Sequence, residues 1–418
     1  MSRSIDRKEG LLRVHWRDFF FLVGWALYFA PPIMFHLSGM MTKLIRFGGL
    51  AYAALLVFCM AGRGFRLQRR YLKVVGLMAL LSIWEMYVVL TRSPGQLVDY
   101  AFQILFPPME VFILIVYSLY GSRDQGERLA RLTPLYWLSS IYIVGNLLSM
   151  LAFPSGIIRT ELGSSVARAN WLLGSKNNQT NYLVLSGTIA LMYTDARKKR
   201  VRGLMLVCAA FIEALFTDEN GLRFMGGSST GIVAMALIVM VAAVNLVIKE
   251  IKLLRIGVRW VYLAALFMDI VLISGTTVPA IQSIVVNVLH KTPTFSNRTF
   301  IWERVLYYIS KQPVAGYGER EIWFFVSLSN KLSGTSYTYN LFLKIILDFG
   351  IVGLVLFSVP FLCARRGKNK QYGFLITGFF GIMLSGLMNE VCFEFPFVFL
   401  ILIEAMAAGE RTGYLKII

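Results

Sequence analysis

From Thr230 to Ile248 the chain reads TGIVAMALIVMVAAVNLVI, and this stretch carries no charged residue and one amide, Asn245. A run of that length approaches the ~20 apolar residues needed to cross ~30 Å of hydrocarbon as a helix. Working outward, similar blocks recur on both sides of it, separated by short charged segments. The balance of 57% hydrophobic against 16% charged residues falls well below the ~25% charge of soluble domains. The fold class that follows is all-α: a polytopic integral membrane protein, one membrane domain over residues 1–418.

By the length rule the chain holds about twelve spans, centred near residues 27, 54, 82, 110, 143, 187, 210, 239, 267, 350, 382 and 402. With the N-terminus inside, RGFRLQRRYLK, RDQGERLAR, DARKKRVR, KEIKLLRIGVR and RRGKNK all fall in the cytoplasm. That places about two thirds of the 42 Lys and Arg on one side. Both termini are therefore expected in the cytoplasm. The basic start MSRSIDRKEGLLRVHWRD runs into an apolar block without a small-residue cleavage site, so the first span is expected to stay as an anchor. The net charge of +19 lies mainly in short cytoplasmic loops, where orientation and anionic lipid account for it, and nucleic acid is excluded as a partner. Cys59, Cys208, Cys363 and Cys392 are scattered singly and read as packing residues. No nucleotide loop or metal-ligand spacing appears, so no cofactor and no metal are expected.

Six acids inside the spans, Glu85, Glu110, Glu213, Asp269, Asp348 and Glu404, cost several kcal/mol each against lipid and are expected to face inward. Three extracytoplasmic loops are large or oddly composed: Ser155 to Thr180, Asp218 to Ser229, and Thr276 to Thr338, which is the longest. Long loops of this kind are usually functional or disordered, and the last has too many aromatics for disorder.

Within the long loop, SNRTFIWERVLYYISKQPVAGYG has helical spacing. Ile301, Val305 and Tyr308 repeat at i, i+4 and i+7, while Arg304 and Lys311 share another face. An amphipathic helix at the membrane surface is expected, capped by Ser296 or Asn297 and ended before Pro313. Gly316 and Gly318 then allow a tight return whose amides can face an anion. The plainer reading of the segment is an interfacial anchor with snorkelling cations.

The same run, followed by YTYNLFLKIILDFGIVGLVLF, resembles the signature of the O-antigen polymerase and ligase family of bacterial membrane glycosyltransferases. The family's R-x-x-x-W helix, P-x-x-G-x-G turn and extracytoplasmic H-N-x-x-L before a G-x-x-G span are matched. Here they read Arg298, Trp302, Pro313, Gly316 and Gly318, then Asn340, Leu343, Gly350 and Gly353. GSKNNQTNYLVLSGTIALMY and GGSSTGIVAMALIV extend the likeness over roughly the C-terminal 60% of the chain. Two positions depart from the family: its His before the Asn is Tyr339, and the Arg expected after the Ser of SSTG is missing, leaving Arg223 as the nearest cation.

The resemblance implies glycosyl transfer at the outer face of the membrane, from a polyprenyl-diphosphate-linked oligosaccharide to a lipid-linked repeat unit. The product is a surface polysaccharide: O-antigen, capsule or exopolysaccharide. The missing His tilts the reading from ligase to polymerase. A flippase and a chain-length regulator are expected partners beside the bilayer itself. Charge building on a leaving diphosphate calls for fixed guanidinium forks. The candidates are Arg298 and Arg304 for catalysis, with Arg159, Arg168 and Arg223 for substrate binding. Glu303 is the candidate proton acceptor, although pairing with Arg304 or a nearby Lys is its plainer role. Other extracytoplasmic acids remain open, among them Glu161, Asp218, Glu219, Glu319, Glu321, Glu390 and Glu394. Trp302, Gly316, Gly318, Tyr339 and Asn340 complete the candidate substrate site. A different class of function, a twelve-span carrier or lipid-linked oligosaccharide flippase, would use the buried acids. Carriers show two matched halves, whereas here the long loop has no counterpart in the first half.

Overall fold

The computed structural model describes residues 16–62, 66–120, 122, 124–162, 166–248, 256–275, 298–319, 338–367, 369–389, 394–407 and 414–416. Within these the chain is mostly helical. The helices are α1 (Trp16–Tyr28), α2 (Ile33–Leu37), α3 (Gly39–Gly62), α4 (Arg69–Arg92), α5 (Leu97–Tyr100), α6 (Phe106–Leu119), α7 (Gln125–Arg131) and α8 (Thr133–Ala152). There follow α9 (Lys176–Ala196), α10 (Arg200–Phe216), α11 (Ser229–Val247), α12 (Val258–Gly275), α13 (Arg298–Lys311), α14 (Leu341–Leu362), α15 (Lys370–Gly386) and α16 (Glu394–Ala407). Each of the twelve expected centres lies in one of these helices. Among the described residues, five helices are long and apolar enough to cross a membrane: α3, α4 from Tyr71, α8, α11 and α14.

The mostly helical chain agrees with the all-α expectation, and three short antiparallel pairs join loop segments among the described residues. β1 (Arg66–Gln68) pairs antiparallel with β6 (Tyr414–Lys416), β2 (Ile158–Leu162) with β3 (Val166–Asn170), and β4 (Thr217–Asp218) with β5 (Gly221–Leu222). Loop backbone packed against a helical bundle must still satisfy its amides, and short hairpins do so locally. The β1–β6 pair brings the C-terminal segment beside the α3–α4 connection, so both lie at one end of the bundle.

α9, α15 and α16 run through the middle, buried almost throughout their lengths, as helices without a polar face must be. Their neighbours α8, α10 and α11 expose single stripes, for instance Val201, Met205 and Ile212 on α10. All six acids in the apolar helices are buried: Glu85, Glu110, Glu213, Asp269, Asp348 and Glu404. Several anchor polar knots. At one end of the bundle Asp195 accepts from Arg200 Nε at 2.8 Å, Lys370 Nζ at 3.1 Å and Asn245 Nδ2 at 3.1 Å, tying α9, α10, α11 and α15. Breaking such a buried pair on one side costs ~3–5 kcal/mol. Nearer the other end, Asn146 Nδ2 donates to Glu213 Oε2 at 2.7 Å and to Gln179 Oε1 at 3.3 Å, joining α8, α9 and α10.

α13 has the bounds that its apolar spacing predicts, and its buried face is Thr299, Ile301, Trp302 and Val305. It packs on the first turns of α14 through Leu343 and Leu347, with Ile273 of α12 and Met388 at the edge. The expected caps Ser296 and Asn297 lie outside the described residues, as does most of the long loop on either side of 298–319.

Candidate active site

After α13 the turn from Pro313 to Gly318 docks onto a break in α14. Gly350 has φ of 69° inside that helix, a conformation that favours glycine, and a Cβ there would collide with the Val314 carbonyl. Gly316, at φ 68°, would set a Cβ 2.5 Å from the Asp348 carbonyl oxygen. The close approach lets backbone groups pair across the break. Tyr317 N donates to Leu347 O at 2.9 Å, Gly318 N to Asp348 O at 2.8 Å, and Ile351 N to Pro313 O at 2.8 Å. Phe349 O, released by the kink, accepts from Trp84 Nε1 of α4 at 2.9 Å. The P-x-x-G-x-G and G-x-x-G motifs are thus two halves of one backbone lock. This corrects the reading of Gly316 and Gly318 as an anion cradle: the amides of residues 316, 317 and 318 are all donated to carbonyls of the chain.

Beside the lock sits Lys344, whose Nζ reaches Asp348 Oδ2 at 2.7 Å and Glu319 Oε1 at 3.3 Å. A lysine in an apolar helix needs such partners, and they fix the first two turns of α14 to the end of the turn.

The three residues before α14 are held from several sides. Trp302 Nε1 donates to Thr338 O at 3.0 Å. Thr338 Oγ1 donates to Asn340 O at 3.1 Å. Asn340 caps α14 by accepting from Leu343 N at 2.8 Å, and its Nδ2 donates to Asp269 Oδ1 of α12 and to Leu387 O. Between them Tyr339 adopts φ of 52°, uncommon for a bulky residue and associated with functional sites. Its ring lies under Arg298, whose guanidinium carbon is 5.1 Å from the ring centroid.

Arg298 opens α13 on the same face as Trp302 and is half-buried. Desolvation lowers its pKa from the usual guanidinium value, and electrostatic interaction with Tyr339 and Glu219 opposes that shift. It remains a cation, with part of its hydration shell replaced by the tyrosine face. Glu219, on the β4–β5 turn, also takes Lys176 Nζ at 3.2 Å, and Asp218 lies 3.6 Å from the same ammonium. Ala169 N donates to Glu219 O at 2.8 Å, docking the β2–β3 hairpin on this turn. Asn389, after α15, donates to Ser228 Oγ at 2.8 Å and Thr230 Oγ1 at 3.0 Å at the start of α11. The first turns of α9, α11, α13 and α14 therefore gather at one end of the bundle with Arg298 and Lys176. Positive helix ends and two cations favour an anionic ligand there.

The other candidates divide clearly. Trp302 is 1% exposed with its indole N–H already donated, so it supports the Thr338–Asn340 turn and has no ring face open to a sugar. Asn340 is equally enclosed and spends its side chain on the helix cap and on Asp269. Arg304 points away from Arg298, with its guanidinium carbon 5.2 Å from the Tyr307 centroid and 5.3 Å from that of Tyr308. Lys311 covers Tyr307 at 5.3 Å, making this the cationic and aromatic face of α13. Glu303 is exposed. Arg159 is exposed on β2, its Nε 3.5 Å from Ser155 O. Arg168 is half-buried on β3, where its partner in register is Thr160. Arg223 is exposed on the loop that leads from β5 to α11. Lys176 and Asn389 were not singled out by sequence. Asp269 was marked only as an acid in an apolar helix, which is the signal that leads to its contact with Asn340.

Residues 221–358 match the family model described as O-Antigen ligase. No curated protein matches the chain. The matched region runs from β5 into α14 and holds Arg298, Tyr339, Asn340 and both halves of the glycine lock, while Lys176, Glu219, Arg159 and Arg168 precede it. Over about a third of its length, the part that carries Arg298, Tyr339, Asn340 and the glycine lock, the chain is similar to the O-antigen polymerase and ligase family of membrane glycosyltransferases.

Proposed function

We propose that this protein polymerises a bacterial surface polysaccharide at the outer face of the cytoplasmic membrane. It transfers a growing glycan from a polyprenyl-diphosphate carrier to the sugar of a second lipid-linked repeat unit. The observation that carries the reading is Arg298: a partly desolvated guanidinium held over Tyr339, at the end of the bundle where four helices begin. In the transfer, the acceptor hydroxyl attacks the anomeric carbon, the bond from that carbon to the diphosphate oxygen breaks, and the diphosphate leaves with the bonding pair. Arg298 stabilises the charge that builds on that oxygen, with Lys176 supporting it. Glu219, paired with Lys176 at 3.2 Å and within electrostatic reach of Arg298, is the carboxylate assigned to accept the hydroxyl proton. The step draws on no external energy source because the donor already carries an activated leaving group.

A ligase, which delivers the glycan to a different acceptor lipid, is equally compatible with the family match. Purified protein in bilayers, given lipid-linked repeat units, chelator and no nucleotide, separates the readings. A ladder of lengthening lipid-linked glycans supports the polymerase. Transfer confined to another acceptor makes the chain a ligase, and strict dependence on added metal or ATP defeats the mechanism.

A further inference from the structure

Away from this site, α4 and α14 part at the end of the bundle that carries the β1–β6 pair and leave a cleft of about 620 Å³. We propose that this cleft binds one anionic phospholipid of the inner leaflet, its headgroup between Lys73 and Arg365 and an acyl chain along the apolar wall. The assignment to the inner leaflet rests on the orientation read from the loop charges, and is independent of the glycosyl-transfer reading.

The cleft is polar at one end and apolar along its length. Lys73 stands one turn into α4 and Arg365 follows directly on α14; both are exposed. From Lys73 the wall climbs through Leu77 to Leu80, a rise of about 10 Å along the helix, facing Val359 and Pro360. Gly76 forms part of the floor, and a Cβ there would meet nothing within 4 Å. The space is therefore open beside the backbone itself. Glu404 of α16 closes the back, and its Oε1 accepts from Arg365 N at 2.6 Å, which fixes the Arg365 backbone at the mouth. The two side-chain cations outnumber this single carboxylate. Inner-leaflet anionic lipid is drawn to such residues, and an aliphatic tail matches a wall of leucine, valine and proline. Zwitterionic lipid fits the wall equally well and gains less from the cations.

Native mass spectrometry of the full chain in detergent, titrated with phosphatidylglycerol or phosphatidylcholine, tests the site. Wild type is expected to hold one phosphatidylglycerol at least fivefold more tightly than phosphatidylcholine. Lys73→Gln and Arg365→Gln should each weaken the anionic lipid about fivefold and leave the zwitterionic one unchanged. Gly76→Leu, which fills the floor, should weaken both lipids together. Equal affinity for the two lipids in wild type, replacement by detergent without anionic preference, or unaltered phosphatidylglycerol binding in the double Lys73→Gln/Arg365→Gln variant overturns the proposal. The charge variants are surface changes that leave the fold intact, so the test stands even where Gly76→Leu lowers the yield.

Discussion

Replacing Arg298 by alanine separates a catalytic cation from an anchoring one. The side chain makes a cation–π contact with Tyr339 at 5.1 Å, which stabilises the fold by ~1 kcal/mol. The helix beneath it is held by other groups, Ile301, Trp302 and Val305 against Leu343 and Leu347. Arg298→Ala should therefore lower thermal stability in detergent only slightly. Losing a fixed donor to developing oxyanion charge instead costs ~3–4 kcal/mol in the transition state, or roughly 10²–10³ in rate. Arg298→Lys should restore part of that activity, because an ammonium keeps the charge and the contact with Tyr339 but not the two-pronged geometry. The assay is lipid-linked glycan elongation by purified protein at matched, monodisperse concentrations. Near wild-type elongation by a stable Arg298→Ala protein refutes the role assigned to this residue. Loss of elongation together with a large fall in melting temperature refutes it as well, since the residue would then be structural.

Other parts of the reading make their own demands. Arg304→Ala should change elongation by less than about threefold, since its guanidinium lies on Tyr307 and Tyr308; a loss equal to that of Arg298→Ala would put both cations on the substrate. Gly350→Ala combines a left-handed backbone with a collision at Val314 O and should destabilise by about 2–6 kcal/mol, read as poor yield and early melting. A wild-type melting curve for that variant would remove the backbone lock. Asp269→Leu leaves Asn340 Nδ2 with Leu387 O alone and should cost ~1–3 kcal/mol of stability, with Asp269→Asn milder. Identical melting of the two variants would show that the contact with Asn340 carries no weight. Asn220→Cys, at the exposed tip of the β4–β5 turn in a cysteine-free background, should react with an impermeant thiol reagent on intact cells. Reaction only after lysis would reverse the orientation and with it the inner-leaflet assignment of the lipid cleft.

Some of this was legible because the responsible physics is local. The bounds of α13 follow from apolar spacing and from Pro313, and the inward turn of the six acids follows from the cost of charge in lipid. The hairpin of β2 and β3 was not legible. Its sequence, from Ile158 to Asn170, is polar and glycine-containing, and its docking depends on the Glu219 carbonyl, which is remote in the chain. The glycines were half legible. Their backbone freedom was visible, but the partner each approaches was not, since Gly316 meets a carbonyl more than thirty residues away.

That misreading of the glycines changes how the signature is understood. Gly316 and Gly350 hold α13 at a fixed depth and angle against α14; Trp302 and Asn340 hold the turn that presents Tyr339. These four residues have their polar groups or their space used up inside the protein, and none has a surface left for a ligand. Arg298 and Tyr339 differ: each is only partly enclosed, and each touches the other across the opening of the helices. A motif read as one binding surface thus separates into an enclosed frame and a partly exposed pair, Arg298 and Tyr339, to which the proposed mechanism assigns the work. The frame explains why Tyr339 can occupy a position where the family carries His. What the frame fixes is the backbone at φ 52° and the direction of the side chain, and an aromatic ring aimed there can seat a guanidinium. In the proposed mechanism proton acceptance then falls to a carboxylate on another loop, Glu219, which holds Lys176 Nζ at 3.2 Å and acts on Arg298 electrostatically from a distance.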